Sequence, residues 1–316
     1  MISETIANTN NSNSIRKIQY TANNIAKIEE IIVGWSSLFS DINWVTSIQD
    51  KLIKVSKLFE INRGERRGWD EMFFPKEYSK IESEFIKPVL KSSKNVTGYI
   101  AEPEGKAFCC SVSIEELKLS SKDGALEWIS RFKNGFNTDG KPLIESLKRS
   151  NHFWYEMKPE TLADFVITMN PDKKLFIARM SERSFVNQRL IRFTSKESVD
   201  LDICHALLNS TLGMFFIETS GFGRGLGALD LNSTKLKKGL SMLNPELLDE
   251  ESKENIVQKF RVVMLRGLKA VPDELSSSDR QALDKAILTA YGLEGLKEKI
   301  YKSLLEIYSI RQAVKL

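Results

Sequence analysis

The chain has 316 residues, 41% of them hydrophobic and 28% charged, with a formal net charge of +4. That length and apolar content suffice for a packed core without staples, and so small a net charge demands no polyanionic partner by itself. Cys109, Cys110 and Cys204 are an odd set without metal-ligand spacing, no apolar run approaches the roughly 20 residues of a membrane span, and MISETIANTNNSNS at the start is polar. A disulfide framework, structural zinc, a membrane anchor and a signal peptide are therefore disfavoured, and a soluble cytoplasmic protein is expected.

Residues 1 to about 20, rich in Asn, Ser and Thr, read as a disordered tail. Thr21 to Phe39 reads as a helix with Ile25, Ile28, Ile31, Ile32 and Trp35 on one side, and Trp44 to Phe59 as a second, so 1–57 is a tail with lead-in helices. Over 58–244 the signals change. Gly98–Ile100, Ala107–Val112, Phe165–Thr168 and Leu175–Ala178 look like strands, with helices at Ala125–Lys133 and Ile203–Thr219 between and after them. After Asn244-Pro245-Glu246 the segment 245–316 turns helical, with Glu250–Val262, Ser278–Tyr291 and Leu296–Val314 as elements. Ser278 with Gln281 reads as a capping box, and Tyr291-Gly292-Leu293 as a helix stop. Strands and helices mix without regular alternation, which predicts an α+β fold: a mixed-strand domain flanked by N-terminal helices and a C-terminal helical segment.

The excess of basic residues lies ahead of Ser241, and it is clustered. Arg63, Arg66 and Arg67 surround Gly64 and Gly68. Lys87, Lys91 and Lys94 form a second group, and Lys148 with Arg149 a third. Arg179, Arg183, Arg189 and Arg192 follow, then Arg224, then Lys235, Lys237 and Lys238. One such cluster reads as a solvated face; six in one domain, several beside glycines or aromatics, point to nucleic acid.

From Asn209 to Leu231 a small-residue helix runs into an aromatic stretch and a glycine-rich arm carrying Arg224. Such an arm can cradle a cofactor phosphate, let the chain cross a packed surface, or bring backbone up to DNA. Gly223, Gly225 and Ala228 fit a loose G-x-G-x-x-A pattern, yet Leu229 and Leu231 followed by Asn232-Ser233 read as a strand and turn rather than the helix a dinucleotide site needs.

An enzymatic alternative is a magnesium-dependent nuclease, with Asp139 and Glu156 holding the metal and Lys158 at the scissile phosphate; Phe153, Tyr155 and Met157 alternate as in a strand. A non-catalytic scaffold, its C-terminal helices meeting a protein partner, is a third reading. His205, in an apolar helix, reads as a core residue, whereas His152 sits in a basic, amide and aromatic stretch, Arg149 to Tyr155, able to meet phosphates and base edges. Asn170-Pro171 and Asn244-Pro245 lack the second proline and aromatic of a base-methylating loop, so the chain is not expected to methylate alone.

Read in order, these segments resemble the C-terminal target-recognition region of TaqI- and Eco57I-type adenine-N6 DNA methyltransferases of restriction-modification systems. The resemblance is carried by Ile61-Asn62-Arg63-Gly64-Glu65-Arg66-Arg67-Gly68-Trp69, by Ile86 to Val96, by His152-Phe153-Trp154-Tyr155-Glu156, by Leu207 to Leu212 with the glycine arm, and by Asp279 to Asp284 with Tyr291-Gly292-Leu293. It spans roughly residues 58–295. It implies a duplex DNA target-recognition module without a catalytic domain, served by a methyltransferase or endonuclease chain that would hold S-adenosylmethionine, with no cofactor in this chain. The DNA contacts it implies are Arg63, Arg66, Arg67, Trp69, Lys94, Asn95, Arg149, His152, Arg183, Asn187, Arg189 and Arg224, with Lys235, Lys237 and Lys238 on backbone phosphates.

Overall fold

Thr21 opens α1 (Ala22–Ile31): its hydroxyl accepts the Asn24 amide at 3.1 Å, and Ile28 and Ile31 face the core. The structure, a computed structural model, describes residues 18–32, 34–65, 68–196, 198–223 and 227–313, with Trp35 and Ser36 as backbone only; most of the expected tail, and Arg66, Arg67 and Arg224, lie outside these. The expected helix to Phe39 ends at Ile31, and a 3-10 turn takes up Trp35–Phe39. Before that turn, Gly34 lies so close to the backbone at Thr219 that a Cβ would overlap the Thr219 carbonyl.

The second expected helix is also corrected. Trp44 to Phe59 is divided among a 3-10 segment (Asn43–Lys51), β1 (Leu52–Lys54), α2 (Val55–Leu58) and the start of β2 (Phe59–Arg63). Helical spacing of Ile48, Leu52 and Val55 is overridden by tertiary pairing, since Leu52 to Lys54 zip antiparallel onto Ser241 to Leu243.

Next come α3 (Asp70–Phe73), β3 (Ile86–Leu90), β4 (Ile100–Ala101), β5 (Gly105–Phe108), α4 (Ile114–Leu119), α5 (Asp123–Lys133) and α6 (Leu143–Ser146). They wrap a second core around Met72, Phe73, Phe108, Ile129 and Tyr155. A capping box of Ser113 and Glu116 starts α4, and the Trp128 indole donates to Met72 O at 3.0 Å, tying α5 to α3.

The sheet then receives β6 (Ala163–Thr168), β7 (Ala178–Val186) and β8 (Leu190–Ser195). Strand order is β2-β8-β6-β7-β3-β5, with β4 beside β7. β6 is antiparallel to both neighbours, while β3 and β4 run parallel to β7. The register of β6 on β7 shifts between Ala163 and Phe165, which pair with Ser184 and Arg179; along its other edge β7 pairs with β4 through Arg179 and Met180 and with β3 through Phe185 and Val186.

The helix expected over Ile203–Thr219 is two: α7 (Leu201–Leu208) and α8 (Thr211–Ser220), divided at Asn209-Ser210 because the Ser210 hydroxyl caps α8 by accepting the Gly213 amide at 3.0 Å. The chain continues through β9 (Phe222–Gly223), β10 (Leu229–Asp230), α9 (Ser233–Gly239) and β11 (Ser241–Leu243) to α10 (Glu250–Met264), α11 (Val271–Ser276), α12 (Ser278–Ala290) and α13 (Lys297–Ala313). The expected capping box does not form: Ser277 holds the cap position, and Gln281 reaches back to Leu275 O at 3.0 Å.

The architecture is α+β around a mixed sheet. The main core runs from Ile28 in α1 to Tyr308 in α13 and takes in Phe165, Ile191 and Phe193 from one sheet face. Arg280, fully buried, ties it together: Nη2 donates to Tyr99 Oη at 2.9 Å, Nη1 to Asn209 O, and Nε to Glu274 at 3.3 Å, while Glu274 also holds Arg266. No helix among the described residues is long and apolar enough to cross a membrane.

Candidate nucleic-acid interface

Five chain segments meet at one end of the sheet. β2 leaves it at Arg63, whose exposed guanidinium donates from Nε to Gln188 O at 2.6 Å. Gly64 follows, its amide donating to Leu190 O at 2.9 Å, and Glu65 bridges Asn187. The crossing requires glycine: a Cβ on Gly64 would overlap the Asn187 carbonyl oxygen. Between β7 and β8 the turn Asn187-Gln188-Arg189 is held by the Asn187 side chain, which accepts the Arg189 amide at 2.9 Å and leaves the Arg189 side chain exposed.

On the other flank, Asn187 N donates to Leu90 O at 2.9 Å, so the end of β3 joins this region. The 3-10 turn Ser93–Asn95 follows, capped by Ser92 accepting the Lys94 amide at 3.2 Å, with Lys94 and Asn95 exposed. The glycine arm is rooted here too. Met169 N reaches Arg189 O at 3.4 Å, Leu231 N donates to Met169 O at 2.8 Å, and Leu229 N to Pro171 O at 2.9 Å. Gly223 pairs with Leu229 across the arm, and Lys235 in α9 lies 4.6 Å from the centre of the Phe222 ring. Lys237 and Lys238 on the same short helix are exposed.

The strand expected at Leu229 is present as β10, and where a turn was expected at Asn232-Ser233 a helix, α9, begins. β10 intervenes, however, and the N-terminus of α9 is taken by Asn232, whose side chain accepts the Lys235 amide at 2.8 Å. That leaves the first turn of α9 already capped by protein, the opposite of a phosphate cradle.

The segment from Gly64 also leads to the aromatic turn. Gly68 follows Gly64 by four positions, a span of at most about 14 Å, and Gly68, at φ 88°, lies against Leu147. Trp69, half-buried, adds its ring to the second core, and its indole N–H has no hydrogen-bond partner among the described residues. Beyond Leu147 an open depression of about 570 Å³ is lined by Glu145, Lys148, Arg149, Ser150, Asn151, His152 and Phe153.

Residues 153 to 157 form a turn rather than the expected strand. Glu156 is buried and committed locally: it accepts the Phe153 amide at 2.8 Å, meets His152 Nδ1 at 3.3 Å and Lys158 Nζ at 3.5 Å. Asp139 stands exposed on the Asn137–Lys141 turn, where Asn137 Oδ1 accepts the Asp139 and Lys141 amides. Among the described residues no group of three or more His, Cys, Asp and Glu side chains could hold a metal ion.

Arg183 and Arg192 stand apart from the strand-end cluster. Arg183 Nε pairs at 3.1 Å with buried Asp164, which also accepts the Ser195 amide and hydroxyl at the opposite end of β6. Arg192 is 5% exposed, donates to Thr194 Oγ1 at 2.6 Å, and burial pushes its pKa down. His205 is the core residue the sequence suggests. It lies 3.1 Å from Ile177 O and stacks on Phe165, and burial lowers its pKa to about 3.

Arg63, Asn187, Arg189, Lys94, Asn95 and the root of the glycine arm thus converge, with Trp69, Arg149 and His152 reached along the segment from Gly64. Sequence reasoning overlooked Gln188 and Phe153 as site residues. A basic stretch interrupted by an exposed aromatic was the available signal for Phe153, and nothing marked Gln188, which acts through its carbonyl.

No family model matches the chain. No curated protein matches it either. Among solved structures it is similar to the type IIG restriction endonuclease BpuSI, with a TM-score of 0.53 and 12% identity, over 93% of this chain and 33% of that one. The chain spans about a third of that protein's length, and at this identity the likeness is one of fold.

Proposed function

We propose that the chain is a sequence-specific duplex DNA-binding module, the target-recognition part of a restriction-modification system serving adenine-N6 methylation. Catalysis and S-adenosylmethionine belong to a partner chain or another part of the assembly. The observation that carries this reading is the convergence of exposed Arg63, Arg189 and Lys94 at the strand ends, next to the rooted glycine arm. The fold likeness to a type IIG restriction endonuclease supports it from a separate direction.

Arginines at such an edge suit guanine edges and phosphates, lysines suit phosphates, and a glycine-bearing arm is narrow enough for a groove. Arg183, paired to Asp164, serves the sheet before it serves DNA. The test is a binding titration of Arg63→Ala/Arg189→Ala with duplex DNA. Both side chains are exposed, so the fold should survive while affinity falls at least tenfold; unchanged affinity removes the strand ends from the interface.

A further inference from the structure

The turn from Lys148 to Phe153 has a property that duplex binding alone does not use. Phe153 is 41% exposed, and its ring stacks on Tyr155 at 5.3 Å between centroids and 8° between planes. Tyr155 is buried and fixed by its hydroxyl, which donates to Val112 O at 2.9 Å. One face of Phe153 is therefore taken and held in orientation, and the remaining exposure leaves it a surface for a planar ligand. Beside it lies the depression of about 570 Å³, a volume within the ~300–1,000 Å³ of small-ligand sites.

Polar groups at the rim say what kind of planar ligand fits. Lys148 and Arg149 place positive charge beside the ring, as a phosphate-bearing ligand requires. Glu156 sits 3.3 Å from His152 Nδ1, so the neutral imidazole that carries its proton on Nδ1 presents Nε2 as an acceptor. An acceptor at that position matches an exocyclic amine.

We infer that this depression binds one unpaired, amine-bearing base of a nucleic acid, stacked on Phe153, with its flanking phosphates at Lys148 and Arg149. The inference rests on the DNA-binding reading above. A base inside a duplex is stacked on both faces and cannot use the ring, whereas an unpaired base gains a stacking surface.

The experiment compares the full chain binding a duplex with the same duplex carrying a single bulged adenine, cytosine or thymine, by fluorescence anisotropy. Wild type should bind bulged adenine or cytosine roughly tenfold more tightly than the plain duplex, with a smaller gain for thymine. Phe153→Ala should bind bulged and plain duplex alike, and Phe153→Trp should retain the preference. Equal affinity of wild type for bulged and plain duplex, or a preference that survives Phe153→Ala, overturns the inference while leaving duplex recognition intact. Failure of every DNA to bind overturns both.

Discussion

Asn209 grips Ile177 by both backbone groups: its Oδ1 accepts the Ile177 amide at 2.9 Å and its Nδ2 donates to the Ile177 carbonyl, also at 2.9 Å. The same Nδ2 reaches His205 O at 2.9 Å, and Arg280 Nη1 donates to the Asn209 carbonyl. An asparagine at the α7–α8 break therefore joins the approach to β7, the helix pair and α12 at one buried point. Asn209→Ala leaves the Ile177 amide without its acceptor and the Ile177 carbonyl with His205 alone, and should cost about 2–4 kcal/mol. Urea unfolding checks this. Asn209→Asp should also destabilise, because it buries a charge and loses the donor.

His205 makes stability depend on pH. Its ordinary value of 6.5 falls to about 3 in the folded chain through burial, so below pH 6.5 the unfolded chain binds a proton that the native one does not. The stability it contributes is complete above pH 6.5 and is lost as the pH falls toward 3, at about 1.4 kcal/mol per pH unit. Urea unfolding between pH 4 and 7 should show this slope, and His205→Gln should flatten it. An unchanged slope would assign the acid sensitivity to other groups.

Gly64→Ala tests how the strand ends are built. The added methyl meets the Asn187 carbonyl, so β2 must shift away from the turn that carries Arg189. A loss of about 2–4 kcal/mol in stability, accompanied by weaker duplex binding, is expected. Binding measured well below the melting temperature separates the local displacement from unfolding.

Arg311 ties the glycine arm to α13. It pairs with Glu218 at 2.6 Å, both nearly fully buried, and donates to Gly227 O and to Asp172 O. Burial raises the Glu218 pKa and Arg311 opposes that. Arg311→Met leaves a lone buried carboxylate and should cost about 3–5 kcal/mol; adding Glu218→Leu should restore part of it. Thermal melts of the single and double variants decide, and strict additivity would argue against the pair.

The α+β class and the helices near α5, α10, α12 and α13 were legible from apolar spacing and turn residues, within a residue or two at their ends. β7 and β8, at the centre of the sheet, were not. β7 carries Arg179, Glu182 and Arg183 among its apolar positions and pairs with β6, β4 and β3, with a register shift against β6, so it shows no clean alternation. Arg63, Asn187 and Arg189 could be picked out by type, yet only pairing of β2 with β8 brings residues more than 120 apart into one cluster. The ion pair of Arg183 with Asp164 was not legible, because it forms only once β6 and β7 lie side by side. Asn209 was noticed as part of a small-residue helix, but its bonds to Ile177 depend on tertiary placement.

Duplex recognition is measured most directly by titrating the full chain against a randomised duplex pool across a salt series, with the bound fraction sequenced. The predicted result is enrichment of one short recurring sequence, with log affinity falling linearly with log salt and the slope reduced by about one for each of Arg63→Ala and Arg189→Ala. An unenriched pool together with flat salt dependence would contradict a DNA target-recognition role.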